Sequence, residues 1–260
     1  MDATVKTFTE ALLETEEKVL SGQWGTIGPY MLEAGGKLAA LTGAAYGLVC
    51  HSFDAAYEAA LRTFCKGPGA TVLMPAVCVP ADALVPKALG FEPVFFRDGT
   101  LESLGKALER IRPDAVVLDA DGKMSPERAG QICLDAGVPL ILNACGTLRR
   151  EDSPAAYADI AVYSLSEGSE VDALGGGLLV TDKQDLYARA YAIHNCGRPF
   201  GADCTLTFDD FVGGDLRVSE WTAAAALTVL ETGSYGKPAG PVFRNMAEQP
   251  LFRGAARIPD

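Results

Sequence analysis

Long apolar runs are missing from this sequence. Its strand-like hydrophobic stretches are short (LVC, VLM, VVL, LIL) and bounded by Gly, Pro, Asp or Asn, whereas a bilayer-spanning helix needs about 20 apolar residues in succession. No membrane role is expected. Positive charge is scarce too: 22 Lys and Arg stand against 34 Asp and Glu, a net charge of -12. Neutralising nucleic-acid phosphates takes clustered Lys and Arg, so nucleic acid is excluded as a partner. Histidine is scarcer still, at His51 and His194 alone. The seven cysteines (50, 65, 78, 133, 145, 196, 204) therefore have few companions for a metal site, and no two have CxxC spacing. An odd set of unpaired thiols on predicted strands and apolar helix faces reads as small hydrophobes in a reducing compartment, which places the chain in the cytoplasm. The opening MDATVKTFTEALLETEEKVL lacks the basic start and apolar block of a signal peptide. It reads as an amphipathic helix over 2–21, with Phe8, Leu12, Leu13, Val19 and Leu20 on its apolar side.

What is present is a regular alternation. Near-continuous apolar strands are predicted at Gly47–Ser52, Thr71–Pro75, Pro93–Asp98, Ala115–Ala120, Pro139–Ala144, Ile160–Leu165 and Gly177–Thr181. Amphipathic helices fall between them at Asp54–Cys65, Pro80–Leu89, Leu101–Ile111, Ser125–Ala136 and Lys183–His194. Strands apolar on both faces are covered on both faces, and strand–helix–strand repetition implies right-handed crossovers in a mostly parallel sheet. The fold class is α/β, three layers deep. Ser125-Pro126-Glu127 marks a helix start, with Ser as N-cap and Pro as the first helical residue. An Ala-rich helix, Val218–Leu230, closes a single domain over 1–232; from Gly233 to residue 260 no sustained period remains, and an irregular extension is expected.

Read in order, several segments resemble the DegT/DnrJ/StrS sugar aminotransferases, which have the type I fold of pyridoxal-phosphate (PLP) enzymes. They are Trp24-Gly25-Thr26-Ile27-Gly28-Pro29 with Glu33, Lys66-Gly67-Pro68-Gly69 with Pro75, and Leu89-Gly90-Phe91-Glu92-Pro93 with Asp98. Tyr163-Ser164-Leu165 through Gly175-Gly176-Gly177, and Gly213-Gly214-Asp215-Leu216-Arg217-Val218-Ser219-Glu220, complete the series. The resemblance implies the large domain of that fold, with the family's smaller C-terminal domain absent or vestigial.

It also assigns the cofactor pocket residue by residue. The Schiff-base lysine falls at Ser169, and a hydroxyl cannot form an imine. The carboxylate that holds the pyridine nitrogen protonated falls at Asn143, a neutral amide. The phosphate-binding Gly-Thr, after Ser52, falls at Phe53-Asp54. A carboxylate about 4 Å from a phosphate charge is repelled by about 4 kcal/mol at an effective dielectric of about 20. The ring-stacking aromatic falls at Val79, and the partner-subunit Asn at Asp215. Of these contacts Ser164 is retained. The pocket positions Ser52, Phe53, Asp54, Val79, Asn143, Ser164, Ser169 and Asp215 are thus read as degenerate, with no catalytic lysine and no metal ligand.

The resulting expectation is a pseudo-enzyme of nucleotide-sugar metabolism that does not transaminate and binds no cofactor. It would act as a homodimer, as a heterodimer with an active paralogue, or by holding a sugar-type ligand. Two alternatives stay open. One is an active PLP- or PMP-dependent aminotransferase or dehydratase with relocated contacts, for which Lys123 is the nearest rescue. The other is a cofactor-free enzyme using Asp54, Cys145 or His194.

Overall fold

The computed structural model describes residues 7–22, 24–146, 148, 154–199 and 212–258. The part of the predicted first helix before residue 7, and Cys204, lie outside them. The elements run α1 (Phe8–Gly22), α2 (Pro29–Thr42), β1 (Tyr46–Cys50), α3 (Phe53–Phe64), β2 (Thr71–Pro75), β3 (Val77–Cys78), α4 (Pro80–Ala88), β4 (Glu92–Phe96) and α5 (Leu101–Arg110). Then follow β5 (Ala115–Asp119), α6 (Pro126–Ala136), β6 (Leu140–Asn143), β7 (Ile160–Ser164), β8 (Gly177–Thr181), α7 (Gln184–His194), α8 (Glu220–Thr232), β9 (Arg244–Asn245) and β10 (Arg257–Ile258).

Among the described residues, eight strands form one sheet in the order β1-β8-β7-β6-β5-β2-β4-β10. Its pairings are parallel except at β8, which runs antiparallel to both β1 and β7. All seven predicted strands are there, and the apolar runs that announced them are buried on both faces: Val116 to Leu118, Leu140 to Leu142 and Ile160 to Tyr163. The Ser125 Oγ accepts the Arg128 N–H at 3.4 Å, with Pro126 opening α6 as the sequence indicates.

Between β2 and β8 the direction changes once. From β2 the chain steps toward β10, through α4 to β4. It then returns through α5, past β2, to β5, and continues through α6 to β6. Right-handed crossovers put α4 on one face and α5 with α6 on the other. α5 indeed packs on α6, and α4 on α3.

The stretch after Gly233 departs from expectation. It is mostly irregular, but β9 pairs with β3, and β10 adds a parallel strand to β4. Phe252, 1% exposed, sets its ring edge-on to Phe95 at 5.5 Å. Strands of two residues carry no readable period, so backbone hydrogen bonding and one anchoring aromatic give this segment its course.

At the other end of the fold, Glu220 is fully buried, yet its carboxylate accepts the N–H groups of Gly28, Tyr30 and Met31 at 3.0, 2.9 and 3.2 Å. These are the orphan donors of the α2 N-terminus, where the helix dipole also favours an anion. A Cβ on Gly28 would stand 2.5 Å from the Glu220 Oε2, so glycine is required there. Two segments of the resemblance from opposite ends of the chain are therefore one contact. Glu220→Ala is expected to cost about 3 kcal/mol of stability in urea denaturation, because three buried amides lose their acceptor. An unchanged midpoint would show that other groups satisfy them.

Candidate functional site

Loops at the carboxyl ends of the strands carry most of the positions singled out in the sequence. After β1, the Ser52 Oγ caps α3 by accepting the Ala55 N–H at 3.1 Å. Phe53 stacks obliquely on Tyr57, ring centroids 5.6 Å apart, and Asp54 lies exposed in the first helical turn. Gly176 bridges to Ser52, and Gly177 lies opposite both Cys50 and Ser164. The ends of β1 and β7 are thereby joined through the glycines before β8. Ser164 closes β7, and its Oγ accepts the Ser166 N–H at 3.2 Å.

Asn143 ends β6, 1% exposed. Its side chain is committed on both sides: the Nδ2 donates to the Asp82 Oδ1 at 2.8 Å, and the Oδ1 accepts the Cys145 N–H at 3.3 Å. Val79 is the N-cap residue of α4, and its carbonyl accepts the Asp82 N–H at 3.0 Å. Ser169 is 3% exposed in a turn closed by its N–H to the Ser166 carbonyl. Residues beyond α8 cross over this turn: Gly236 donates to the Glu170 carbonyl and Ala239 to the Gly168 carbonyl, both at 2.8 Å. A Cβ on Gly236 would stand 2.6 Å from the Ser169 carbonyl oxygen, so the crossing segment lies directly on the Ser169 backbone.

Asp215 stands apart from this group. Its segment pairs with the end of β1 and with Asn195, and its carboxylate takes two hydrogen bonds from Arg217, at 2.7 and 2.9 Å, which hold it below the usual carboxylate range.

Of the groups offered for cofactor-free chemistry, His194 is a core residue with no exposure, beside the Tyr191 ring at 5.8 Å. Burial, then the Arg217 guanidinium, pushes it down to about 4, against the pull of Asp215 and the Val49 backbone. The Cys145 thiol is pushed up by burial and by Asp82, away from the reactive thiolate. Lys123 is exposed and lines a cleft beyond β5.

The sequence reading missed Asp82. It lies on α4, 1% exposed, bonded to Asn143 and to the Tyr57 hydroxyl at 3.3 Å, while its Oδ2 has no partner. Burial pushes it up to about 7 and Asp119 adds to the rise, against the pull of the Asn143 and Tyr57 donors. An acid in a helix's first turn ordinarily reads as a solvated dipole partner. The available signal was its register: Val85 and Pro86, three and four residues on, share its buried face.

Two cavities flank the sheet. One of about 410 Å³ lies at the carboxyl ends of β2, β4 and β5. A wider groove of about 690 Å³, lined by Leu134, Pro139 and Asp159, lies at the amino ends of β6 and β7, away from these residues.

A sequence profile of the DegT/DnrJ/EryC1/StrS aminotransferase family matches residues 6–233. The chain belongs to this family. A curated relative, 3-amino-5-hydroxybenzoate synthase of Amycolatopsis mediterranei, is 27% identical over 216 residues, which cover 78% of this chain and 55% of that protein. NtdA from Bacillus subtilis, solved with bound cofactor PMP, superposes with a TM-score of 0.75 at 21% identity, covering 86% of this chain and 53% of that one. DesI, solved with its TDP-sugar product, gives 0.72 at 24% identity, covering 86% and 58%. These likenesses establish the fold of PLP-dependent aminotransferases. The chain spans little more than half the length of the DegT-family proteins it matches.

The Asp82–Asn143 pair has a titration signature. Asp82 holds a proton in the folded chain that the unfolded chain releases near pH 4, so folding is favoured below that value and the contribution is lost as pH rises through about 7. His194, neutral when folded, acts oppositely between about pH 4 and 6.5. Comparison of Asp82→Asn with the parent isolates the aspartate. The variant is expected to gain roughly 2.5 kcal/mol relative to the parent between pH 5 and pH 8, read by urea denaturation at each pH. A difference that does not change with pH would mean Asp82 stays ionised.

Proposed function

We propose that this DegT-family chain does not transaminate and acts by binding, as a partner subunit or as the holder of a sugar-type ligand in the cytoplasm. The reading rests on Ser169, which carries no amine where the family resemblance assigns the lysine. Asn143 supports it, since its amide nitrogen is already given to Asp82. At these positions the residues do not fit a PLP ring: there is no group to tether it and no charge to hold its nitrogen protonated. Asp54 adds a carboxylate at the α3 N-terminus where a phosphate would bind. No described helix is long and apolar enough to cross a membrane.

Mixing the purified chain with PLP and reducing with borohydride is expected to leave its mass unchanged, with calorimetry showing no heat of binding for PMP. A single reduced adduct, at Lys123 or any other lysine, or stoichiometric PMP binding, would favour the active-enzyme reading suggested by relatives such as NtdA. Cofactor-free acid chemistry gains one observation, the acid of Asp82 pushed up to about 7. It would be supported by a ligand whose binding depends on Asp82.

The partner is read as a second DegT-fold chain, identical or paralogous. Trp24, Leu174 and Trp221 are 58, 75 and 41% exposed. Gly28 lies against Trp24 and Glu220, and Gly176 against Thr222, so the chain near each of these residues meets the first turn of α8. Aromatics exposed to this extent are enriched at interfaces. Trp221→Glu is expected to convert a dimer to a monomer in sedimentation velocity while the circular dichroism stays the same. A monomeric parent that recovers no DegT-family partner on co-purification would remove the proposal.

A further inference from the structure

β2 and β5 are neighbours from which the chain leaves in opposite directions, toward β4 and toward β6, and such a pair opens a crevice at its carboxyl end. The cleft of about 410 Å³ lies at this β2–β5 crevice, and Asp82 stands close behind it. Cys78 and Asp119 line the crevice and are within electrostatic reach of Asp82, while Asp119 is also the register partner of Asn143. The groups around Asp82 are the Tyr57 hydroxyl from α3, the Cys78 thiol from β3, Asp119 from β5, and Asn143 and Cys145 from the end of β6. None of these is a cation. Two of them donate to the Asp82 Oδ1, at 3.3 and 2.8 Å, whereas Oδ2 is buried without a partner. A neutral acid tolerates that place. An ionised one, beside Asp119 and with one bare oxygen, is stable only if water reaches it.

The path from Asp82 to the wall of the crevice is short. Asp82 lies in the first turn of α4, and its N–H donates to the Val79 carbonyl at 3.0 Å. β3 runs directly into that turn. Val77 and Cys78 of β3 pair with Asn245 and Arg244 of β9, and the Met246 N–H donates to the Ala76 carbonyl at 2.8 Å. These pairings hold Phe243, which lines the crevice from the segment beyond α8. Residues 236–245 are thus a strap with two anchorages. One is the Ser169 turn, through Gly236 and Ala239, and the other is β3. Gly236 to Gly240 are exposed throughout, and a ladder two residues long beside such a stretch is the kind of segment that opens on its own.

We infer that the β3–α4 turn is an acid-closed latch on this strap. With Asp82 protonated, the turn is seated and β9 holds Phe243 over the crevice. With Asp82 ionised, β3 shifts to admit water to the carboxylate and β9 comes free, so the crevice opens while the sheet stays folded. The latch does not rest on the absence of transamination.

Amide exchange of the full chain, followed by NMR from pH 5 to pH 8 and corrected for the intrinsic rate at each pH, reads the latch. Closure is fully favoured below about pH 4, where a solvated Asp82 is also protonated, and the favour is lost as pH rises through about 7. Protection of the Met246 amide is therefore expected to fall about tenfold or more across this range. The Val116 amide, bonded to the Pro139 carbonyl within the sheet, should stay unexchanged over the same time. Asp82→Asn is expected to keep Met246 equally protected at both ends of the range. Tyr57→Phe, which deletes a donor to the ionised form, should move the midpoint to higher pH, and it carries the test if the first variant fails to fold. The inference is overturned if Met246 and Val116 exchange together, if protection of Met246 does not change with pH, or if neither variant alters its pH dependence.

Discussion

A carboxylate sealed from water is tolerable only when donors surround it, and Glu220 meets that condition with the first amides of α2. The contact joins residues about 190 positions apart and fixes where α2 enters the fold. From there α2 packs on β1 and on α8, and α1 packs on α8. β1 is the edge strand of the sheet, and its carboxyl end supplies the turn with Ser52, Phe53 and Asp54. The β1–β8 ladder and the Ser52–Gly176 bridge set that turn against β7 and β8, and the Glu220 contact sets α2 against the start of α8. The short Trp24–Pro29 and Gly213–Glu220 stretches carry the family resemblance because side-chain identity matters there: only a glycine leaves room at 28, and only a carboxylate answers three donors.

Strand identity was legible because a strand buried on both faces has to be apolar throughout, as Leu140 to Leu142 shows. Strand order was not, because a run such as Val116–Leu118 says nothing about its neighbours. The β2–β5 crevice is a property of order, so it became visible only with the fold in hand. The segment after Gly233 was illegible for a different reason. β10 has two residues on the open edge of β4, too few to show a period, although the Arg257 guanidinium donates to the Ala247 carbonyl and Ile258 is buried in the core. Covering that edge also removes a row of unpaired peptide groups from solvent. In the candidate site, resemblance assigned Asn143 and Ser169, but composition and periodicity alone gave no reason to single out either.

Asp82 changes the meaning of Asn143. Taken alone, an amide at the end of β6 is a lost charge. Seen with Asp82 2.8 Å from its Nδ2, it is half of a pair in which the acid sits on the helix and the amide on the strand. An aspartate at 143 would set two carboxylates at hydrogen-bonding distance in a buried place, where both cannot ionise. The two positions are therefore coupled. An acid at 143 and an acid at 82 exclude one another unless they share a proton. Asp82, Asn143 and the Tyr57 hydroxyl form one buried polar cluster, in which the Asp82 Oδ2 alone is left without a hydrogen bond among these groups.

The same reasoning extends to the segment that crosses Ser169. Gly236 and Ala239 bond to the carbonyls flanking that residue, and Phe243 then reaches the β2–β5 crevice, so one stretch of chain touches both regions. The crossing segment lies against the Ser169 carbonyl, with no room for a Cβ at Gly236. Ser169, 3% exposed, is a small residue at an enclosed position. The ligand-sized space lies instead beside β2 and β5, on the far side of β6 from β7. The fold keeps the carboxyl edge of its sheet as the place for binding while the residues at that edge divide it differently.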